Sequence, residues 1–301
     1  MMKSELEQIV DKTRVFVDEP MSRHTTFRVG GPADYFVEAA NADEIEKVIL
    51  LCRERNVPYY ILGNGSNLLV GDKGYRGVVI QIYRAMNEVK VDGDVLTVQA
   101  GTLLTRVAAV ALGEELTGFE FAAGIPGTLG GAVVMNAGAY GGEMKDIIQE
   151  ATVLDTEGIV RTIPKEKLEM GYRTSVIAKK GYIVLEAKLQ LEKGEAAAIK
   201  ARMDELKEQR VTKQPLEFAS AGSTFKRPEG YFAGKLIQDA GLQGFRIGDA
   251  QVSEKHCGFV INRGNATAAE IAELMRQVSE KVEAKFHVRL EAEVKRLGEF
   301  E

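Results

Sequence analysis

Residues 123–143 read AGIPGTLGGAVVMNAGAYGGE, and seven of these 21 positions are glycine: Gly124, Gly127, Gly130, Gly131, Gly138, Gly141 and Gly142. Glycine admits positive φ and lets another molecule lie against bare backbone. Pro126-Gly127 is a turn signal, and Thr128 beyond it offers a hydroxyl. N–H groups in series along such a loop make a concave anion site suited to a pyrophosphate. Ala132, Val133, Val134 and Met135 supply an apolar floor beneath Asn136, whose amide can read a polar ring edge. A set of tight turns in an ordinary sheet protein would use the same residues, and one glycine-rich loop does not separate the two readings.

A second glycine loop, Gly63-Asn64-Gly65-Ser66-Asn67-Leu68, follows a short apolar strand at 57–62. It approaches a dinucleotide fingerprint, but Leu68 stands where the third glycine belongs and no helix pattern follows. A Rossmann fold is therefore rejected. The N–H groups around Asn64 to Asn67 and the Ser66 hydroxyl still suit a phosphate.

The chain has 301 residues, enough for two or three domains, with 45% apolar and 28% charged residues, as in soluble globular proteins. A net charge of −5 argues against a nucleic-acid partner. Cys52 and Cys257 are too few and too scattered for a disulfide framework or a zinc site, and no metal-ligand spacing appears. No apolar run is long enough to span a bilayer, and the first residues do not resemble a secretory signal. The expected location is the cytoplasm, with no membrane association and no required protein partner.

Outward from the loops, the pattern predicts helices at 5–12, 43–55, 103–112, 196–210 and 233–238. The 43–55 helix should start in an Asn41/Glu44 capping box and bury Ile45, Val48, Ile49 and Cys52. Strands are expected at 34–39, 77–82, 151–155, 159–163, 182–191 and 257–262, with a hairpin over 89–100 turning at 92–94. Gln214-Pro215 opens a linker into a C-terminal unit. There Thr267 and Glu270 cap a helix whose stripe is Ile271, Leu274, Met275, Val278, Val282 and Phe286. A final strand at 288–295 should place Val288, Leu290, Ala292 and Val294 on one face and Arg289, Glu291, Glu293 and Lys295 on the other. Spacing does not say which glutamate matters.

Six stretches carry a family resemblance in order along the chain. They are Thr26-Phe27-Arg28-Val29-Gly30-Gly31-Pro32-Ala33, Leu62-Gly63-Asn64-Gly65-Ser66-Asn67-Leu68-Leu69, and Gly124-Ile125-Pro126-Gly127 with Asn136-Ala137-Gly138-Ala139-Tyr140-Gly141. Gly171-Tyr172-Arg173-Thr174-Ser175, Ala221-Gly222-Ser223-Thr224-Phe225-Lys226 and Leu290-Glu291-Ala292-Glu293-Val294 complete the set. Together they resemble the UDP-N-acetylenolpyruvoylglucosamine reductases, flavoenzymes that complete UDP-N-acetylmuramic acid for peptidoglycan. The resemblance implies an α+β fold. Two lobes, 1–77 and 78–208, would form an FAD-binding domain of the vanillyl-alcohol oxidase (PCMH) type, and 209–301 an α+β substrate domain. The short 172–182 segment resembles the branch without an inserted tyrosine loop. Arg227 stands where many relatives carry asparagine.

The resemblance further implies non-covalent FAD, NADPH as reductant and UDP-N-acetylglucosamine enolpyruvate as substrate. FAD contacts would come from Gly63, Asn64, Gly65, Ser66 and Asn67, and from Gly124, Ile125, Pro126, Gly127, Thr128, Gly130, Gly131, Asn136, Gly138 and Ala139. Ser223 would be the proton donor, Arg173 the cation beside the substrate carboxylate, and Glu293 the electrostatic or proton-relay partner. Tyr172, Lys226 and Lys235 would bind substrate, the lysines at its diphosphate. Each has a plainer alternative: Ser223 as a turn residue, Arg173 as an ion-pair partner, the lysines as surface charges, with Ser175 and Cys257 as other candidate acids.

Overall fold

The computed structural model describes residues Met2–Phe300. The chain forms two compact units. The first comprises the N-terminal segment through Phe16, Phe36–Asn64 and Val79–Arg210; the second comprises Val17–Tyr35, Gly65–Val78 and everything from Val211. The span 1–77 is thus shared between the units, because the chain passes from one to the other within the strands Val15–Pro20, Pro32–Glu38 and Tyr75–Gln81. No composition shift along the sequence marks this interleaving.

The first unit is centred on an antiparallel five-stranded sheet, ordered Val160–Pro164, Ile148–Leu154, Ile183–Gln190, Val95–Gln99, Val89–Asp92. In the central strand Ile183, Leu185, Ala187 and Leu189 are buried as the alternation predicts, and Ala187 pairs with Ala151 on one side and Val98 on the other. Val184 is buried too, because the short helix Leu129–Val134 packs against this strand. The helix Ala42–Glu54 buries Ile45, Val48, Ile49 and Cys52, and burial pushes the Cys52 thiol up to about 11. Its expected capping box is only half formed. Asn41 accepts the Glu44 N–H at 2.9 Å, but the Glu44 carboxylate turns away to Arg14 and the Ala40 N–H.

The second unit carries a small antiparallel sheet, Ala219–Ser220, Val260–Asn262, Ala250–Val252, Arg246–Ile247. The helix Ala268–Phe286 covers a core that includes Phe27, Leu69, Phe225, Val252 and Leu290. Its capping box is complete in both directions, and Asp72 accepts the Ala268 and Ala269 N–H groups at 2.8 Å each. A carboxylate at a helix N-terminus satisfies donors that have no partner inside the helix.

The strand expected at 288–295 does not form. His287 ends the helix in a left-handed conformation (φ 57°), and the following chain is irregular except for one bridge, Phe225 to Ala292. Regular pairing resumes at Lys295–Leu297, which lies parallel to Leu68–Val70. The two-residue period therefore fails. Ala292 is exposed, and Glu293 is 8% exposed while Arg289, Glu291 and Lys295 face solvent. Among the described residues no helix is long and apolar enough to cross a membrane, and no group of three or more His, Cys, Asp or Glu is placed to hold a metal ion.

Candidate active site

In the first unit the two glycine segments meet. Asn64 Nδ2 donates to the Pro126 carbonyl at 2.6 Å, and a Cβ added at Gly63 would lie 2.5 Å from Thr128 Oγ1. Beyond the turn, Leu129 and Gly130 donate their N–H groups to Thr102 and Ala100 carbonyls, starting the Leu129–Val134 helix. Most glycines here are required by the protein itself. A Cβ at Gly130 would meet Ala100 at 3.0 Å, at Gly138 the Glu143 side chain at 2.7 Å, and at Gly142 the Phe121 ring at 2.7 Å. Gly124 lies against the Arg210 side chain. Gly131 differs: it is exposed, and its added Cβ would meet only Thr128 Oγ1, at 3.7 Å.

Asn136 is 1% exposed at φ 47°. Its Nδ2 donates to Glu143 Oε2 at 2.9 Å and to the Gly171 carbonyl at 3.1 Å, and its Oδ1 accepts the Lys145 N–H at 2.9 Å. The amide expected to read a ring edge thus ties the Gly138–Ala139/Gly142–Glu143 hairpin to the 171–174 turn. That turn closes by paired bonds between Gly171 and Thr174 and presents Tyr172, half-exposed, with the Arg173 guanidinium 5.3 Å from its ring centre. Arg173 sits at φ 55°. Its charge also reaches Glu143, whose carboxyl is held below the usual range by the Lys145 ammonium first, then by Asn136 and Arg173, against the opposing effect of burial. Ser175 is fully buried and committed, donating to the Val134 carbonyl at 2.6 Å and capping the helix Val176–Lys180.

In the second unit, Gly65 (φ 61°) passes so close to His24 that an added Cβ would lie 1.9 Å from its carbonyl oxygen. Asn67 Nδ2 donates to the Glu293 carbonyl at 3.2 Å, and the Asn67 carbonyl accepts the Lys295 N–H at 3.0 Å. The glycine loop is thus tied directly to the Glu293 segment. Ser223 is exposed, following Gly222 at φ 74°. Its neighbour Thr224 is fully buried and accepts the Glu293 N–H on its carbonyl at 2.9 Å. Lys226 donates its N–H to the Glu291 carbonyl, and its ammonium pairs with the Glu291 carboxylate, holding that carboxyl below its usual range. Lys235, on the helix Ala233–Asp239, stands in an exposed ion pair with Asp239. Cys257 is buried, and burial pushes its thiol up, favouring the protonated form.

Two side chains that the sequence reading passed over belong here. Thr224 is one. Thr26 is the other: its N–H donates to the Gly65 carbonyl, and its Oγ1 is buried with no hydrogen-bond partner among the described residues. A buried hydroxyl left without a partner beside a glycine loop fits a phosphate-bearing cofactor such as FAD. A cleft of about 610 Å³ in the first unit, lined by Asp146, Ile148, Lys165, Glu166, Gln190 and Glu192, holds none of the expected residues.

Comparison with known proteins bears on both units. Residues 214–297 match the model of the UDP-N-acetylenolpyruvoylglucosamine reductase C-terminal domain, and residues 33–163 match an FAD binding domain. The chain is 53% identical over 293 residues to the UDP-N-acetylenolpyruvoylglucosamine reductase of Clostridium perfringens, covering 97% of this chain and 96% of that one. Identity to the Clostridioides difficile enzyme of the same name is 52% over 294 residues, covering 98% and 97%. The crystal structure of UDP-N-acetylenolpyruvylglucosamine reductase from Thermus caldophilus superposes with a TM-score of 0.80 at 36% identity, covering 94% of this chain and 98% of that one. The glucose dehydrogenase Phl p 4.0202 shares the fold alone, at a TM-score of 0.51 and 11% identity, covering 93% of this chain and 58% of that one.

Proposed function

The chain belongs to the UDP-N-acetylenolpyruvoylglucosamine reductase family, and from that premise we propose that Ser223, Arg173 and Glu293 carry its reaction. It is an FAD-containing oxidoreductase that reduces UDP-N-acetylenolpyruvoylglucosamine in peptidoglycan synthesis. Bound FAD supplies the two-electron carrier between NADPH and the enolpyruvyl double bond. Gly63 to Asn67, the 124–131 turn and helix start, and Gly138-Ala139 are the segments that would hold it, with Thr26 Oγ1 as an added donor. The substrate, NADPH and a cytoplasmic site of action belong to this reading.

Addition of hydride to the terminal alkene carbon leaves negative charge on the carbon beside the carboxylate. Arg173 grips that carboxylate through its planar fork, lowering the energy of the enolate. Ser223 Oγ delivers its proton to the charged carbon, forming the new C–H bond. A serine hydroxyl is a weak acid, so its task requires a basic acceptor and a close carboxyl group to support the departing proton. Glu293 is the buried carboxyl in this segment and is assigned as the electrostatic or proton-relay partner of Ser223. Tyr172 and Lys226 flank Arg173 and Ser223 in sequence and are assigned to substrate binding.

The observation that carries the reading is the Asn67–Glu293–Thr224 link, which joins a glycine loop, the buried glutamate and the serine turn through the Asn67 side-chain amide and a main-chain bond. It is tested by anaerobic absorption spectra of the FAD-loaded protein and its Ser223→Ala variant. The wild type should bleach with NADPH and recover its colour with the enolpyruvyl substrate. Ser223→Ala should bleach normally and recover roughly 10²- to 10⁴-fold more slowly. Equal loss of both steps would overturn the assignment, and bleaching without recovery in the wild type would direct the electrons to another acceptor.

A further inference from the structure

Every main-chain group of Thr224, and its hydroxyl, is committed to a neighbouring segment. Its N–H donates to the Gly258 carbonyl at 2.9 Å, its Oγ1 accepts the Val260 N–H at 2.9 Å, and its carbonyl accepts the N–H groups of Glu293 at 2.9 Å and Val294 at 3.5 Å. The side chain is fully buried, although Ser223 beside it is exposed. Gly258 is itself braced. His256 Nδ1 accepts its N–H at 3.1 Å, and a Cβ added there would lie 2.9 Å from the imidazole. Gly222, on the other side of Ser223, sits at φ 74° with nothing within 4 Å of an added Cβ. Ser223 thus sits between Gly222, which follows the paired strand Ala219–Ser220 and buried Ala221, and the fully bonded Thr224.

We propose that Thr224 is a positioning residue: its buried hydroxyl and carbonyl fix the Ser223 turn and the Glu293 backbone to one strand end and so set the geometry in which the serine proton is delivered. This rests on the reading of Ser223 as proton donor with Glu293 as partner. Removing the hydroxyl leaves the Val260 N–H without an acceptor in a buried place, and the turn shifts to relieve it. Misplacement of a reacting group by about 1 Å costs about 10²-fold in rate.

The test compares Thr224→Val, which keeps the shape and removes the hydroxyl, with Thr224→Ser, which keeps the hydroxyl. Thr224→Val should slow substrate-driven recovery of the flavin colour roughly 10- to 100-fold, with KM for the enolpyruvyl substrate and NADPH-driven bleaching unchanged. Thr224→Ser should restore the rate. In FAD-free protein, hydrogen exchange at the Val260 and Glu293 amides should quicken in the valine variant and not in the serine variant. If the valine variant does not fold, Thr224→Ala replaces it under the same criteria, since it too removes the hydroxyl that accepts the Val260 N–H. Wild-type recovery in the folded variant, failure of serine to rescue, or a parallel fall of both half-reactions with thermal stability would each overturn the positioning role. A Ser223→Ala variant that recovers normally would instead overturn the proton-donor reading, so the two failures are distinct.

Discussion

The 123–143 segment of the first unit and the 222–226 turn of the second both present exposed groups, yet they are held by opposite means. The first is held by side chains and by the absence of side chains. Asn136 makes three bonds, and Gly130, Gly138 and Gly142 let neighbouring chain pack where a Cβ would collide. The second is held almost entirely by main-chain bonds that converge on a single buried threonine. The difference separates two uses of glycine. Glycine marks close packing of the protein on itself at Gly130, Gly138 and Gly142, and leaves room beside the backbone at Gly131, where an added Cβ would meet only Thr128 Oγ1.

The largest expected effect bears on the second region. Ser223→Ala should lose the recovery step by roughly 10²- to 10⁴-fold with bleaching intact, while Gly131→Ala should alter FAD retention rather than proton delivery. A variant such as Gly131→Ala that bound FAD normally yet lost recovery as fully would break the contrast.

Next in size is the split between packed and open glycines. Gly65→Ala forces a Cβ against the His24 carbonyl at positive φ, and should destabilise the fold by at least about 2 kcal/mol in thermal unfolding. Gly131→Ala adds a helix-favouring methyl in open space, and the FAD-free protein should be unchanged or more stable by up to about 1 kcal/mol. FAD titration should nonetheless show weaker binding by Gly131→Ala. Equal destabilisation by the two substitutions would erase the distinction.

Smaller again is removal of the amide brace. Asn136→Ala strips the Lys145 N–H of its acceptor and the Gly171 carbonyl and Glu143 of a donor. A buried polar group left unpaired costs about 1–3 kcal/mol. The loss should appear as a lower unfolding temperature and as faster proteolysis at 138–143.

What could be read from the sequence follows the same division. The separate strands of the five-stranded sheet, the Ala268–Phe286 helix and its capping box were legible because period and caps are local signals, whereas the order of the strands was not. The Asn41 cap was half legible, since nothing near Glu44 in sequence announces Arg14, which claims its carboxylate. The final strand misled: a clean alternation at 288–295 gave way once Glu291 and Glu293 paired with the distant 224–226 turn, burying Glu293 and exposing Ala292. The interleaved units were not legible either, because strands that pass between units look like any other strands. Ser223, Arg173 and Glu293 stood out only through motif order, and Thr224 was hidden beside the residue that drew notice.

The smallest effect separates the two regions by pH. Glu143 belongs to the first brace, and Lys145, then Asn136 and Arg173, keep its carboxyl below the ordinary glutamate value of 4.5 in the folded protein, more than offsetting the effect of burial. A depressed folded value means that its contribution to stability is fully present above the unfolded value and is lost as pH falls through the folded one. The Thr224 bonds to Val260 and Glu293 involve a hydroxyl and main-chain groups, none of which titrates there. Hydrogen exchange, corrected for the intrinsic pH dependence of amide rates, should therefore show protection at the Lys145 amide declining as pH drops below about 4.5, while protection at the Val260 amide holds. Loss of protection at both amides in step would mean that one global opening governs them, and that the charged and uncharged braces are not independent. Retention at both would mean that Asn136 holds its hairpin without help from the Glu143 charge.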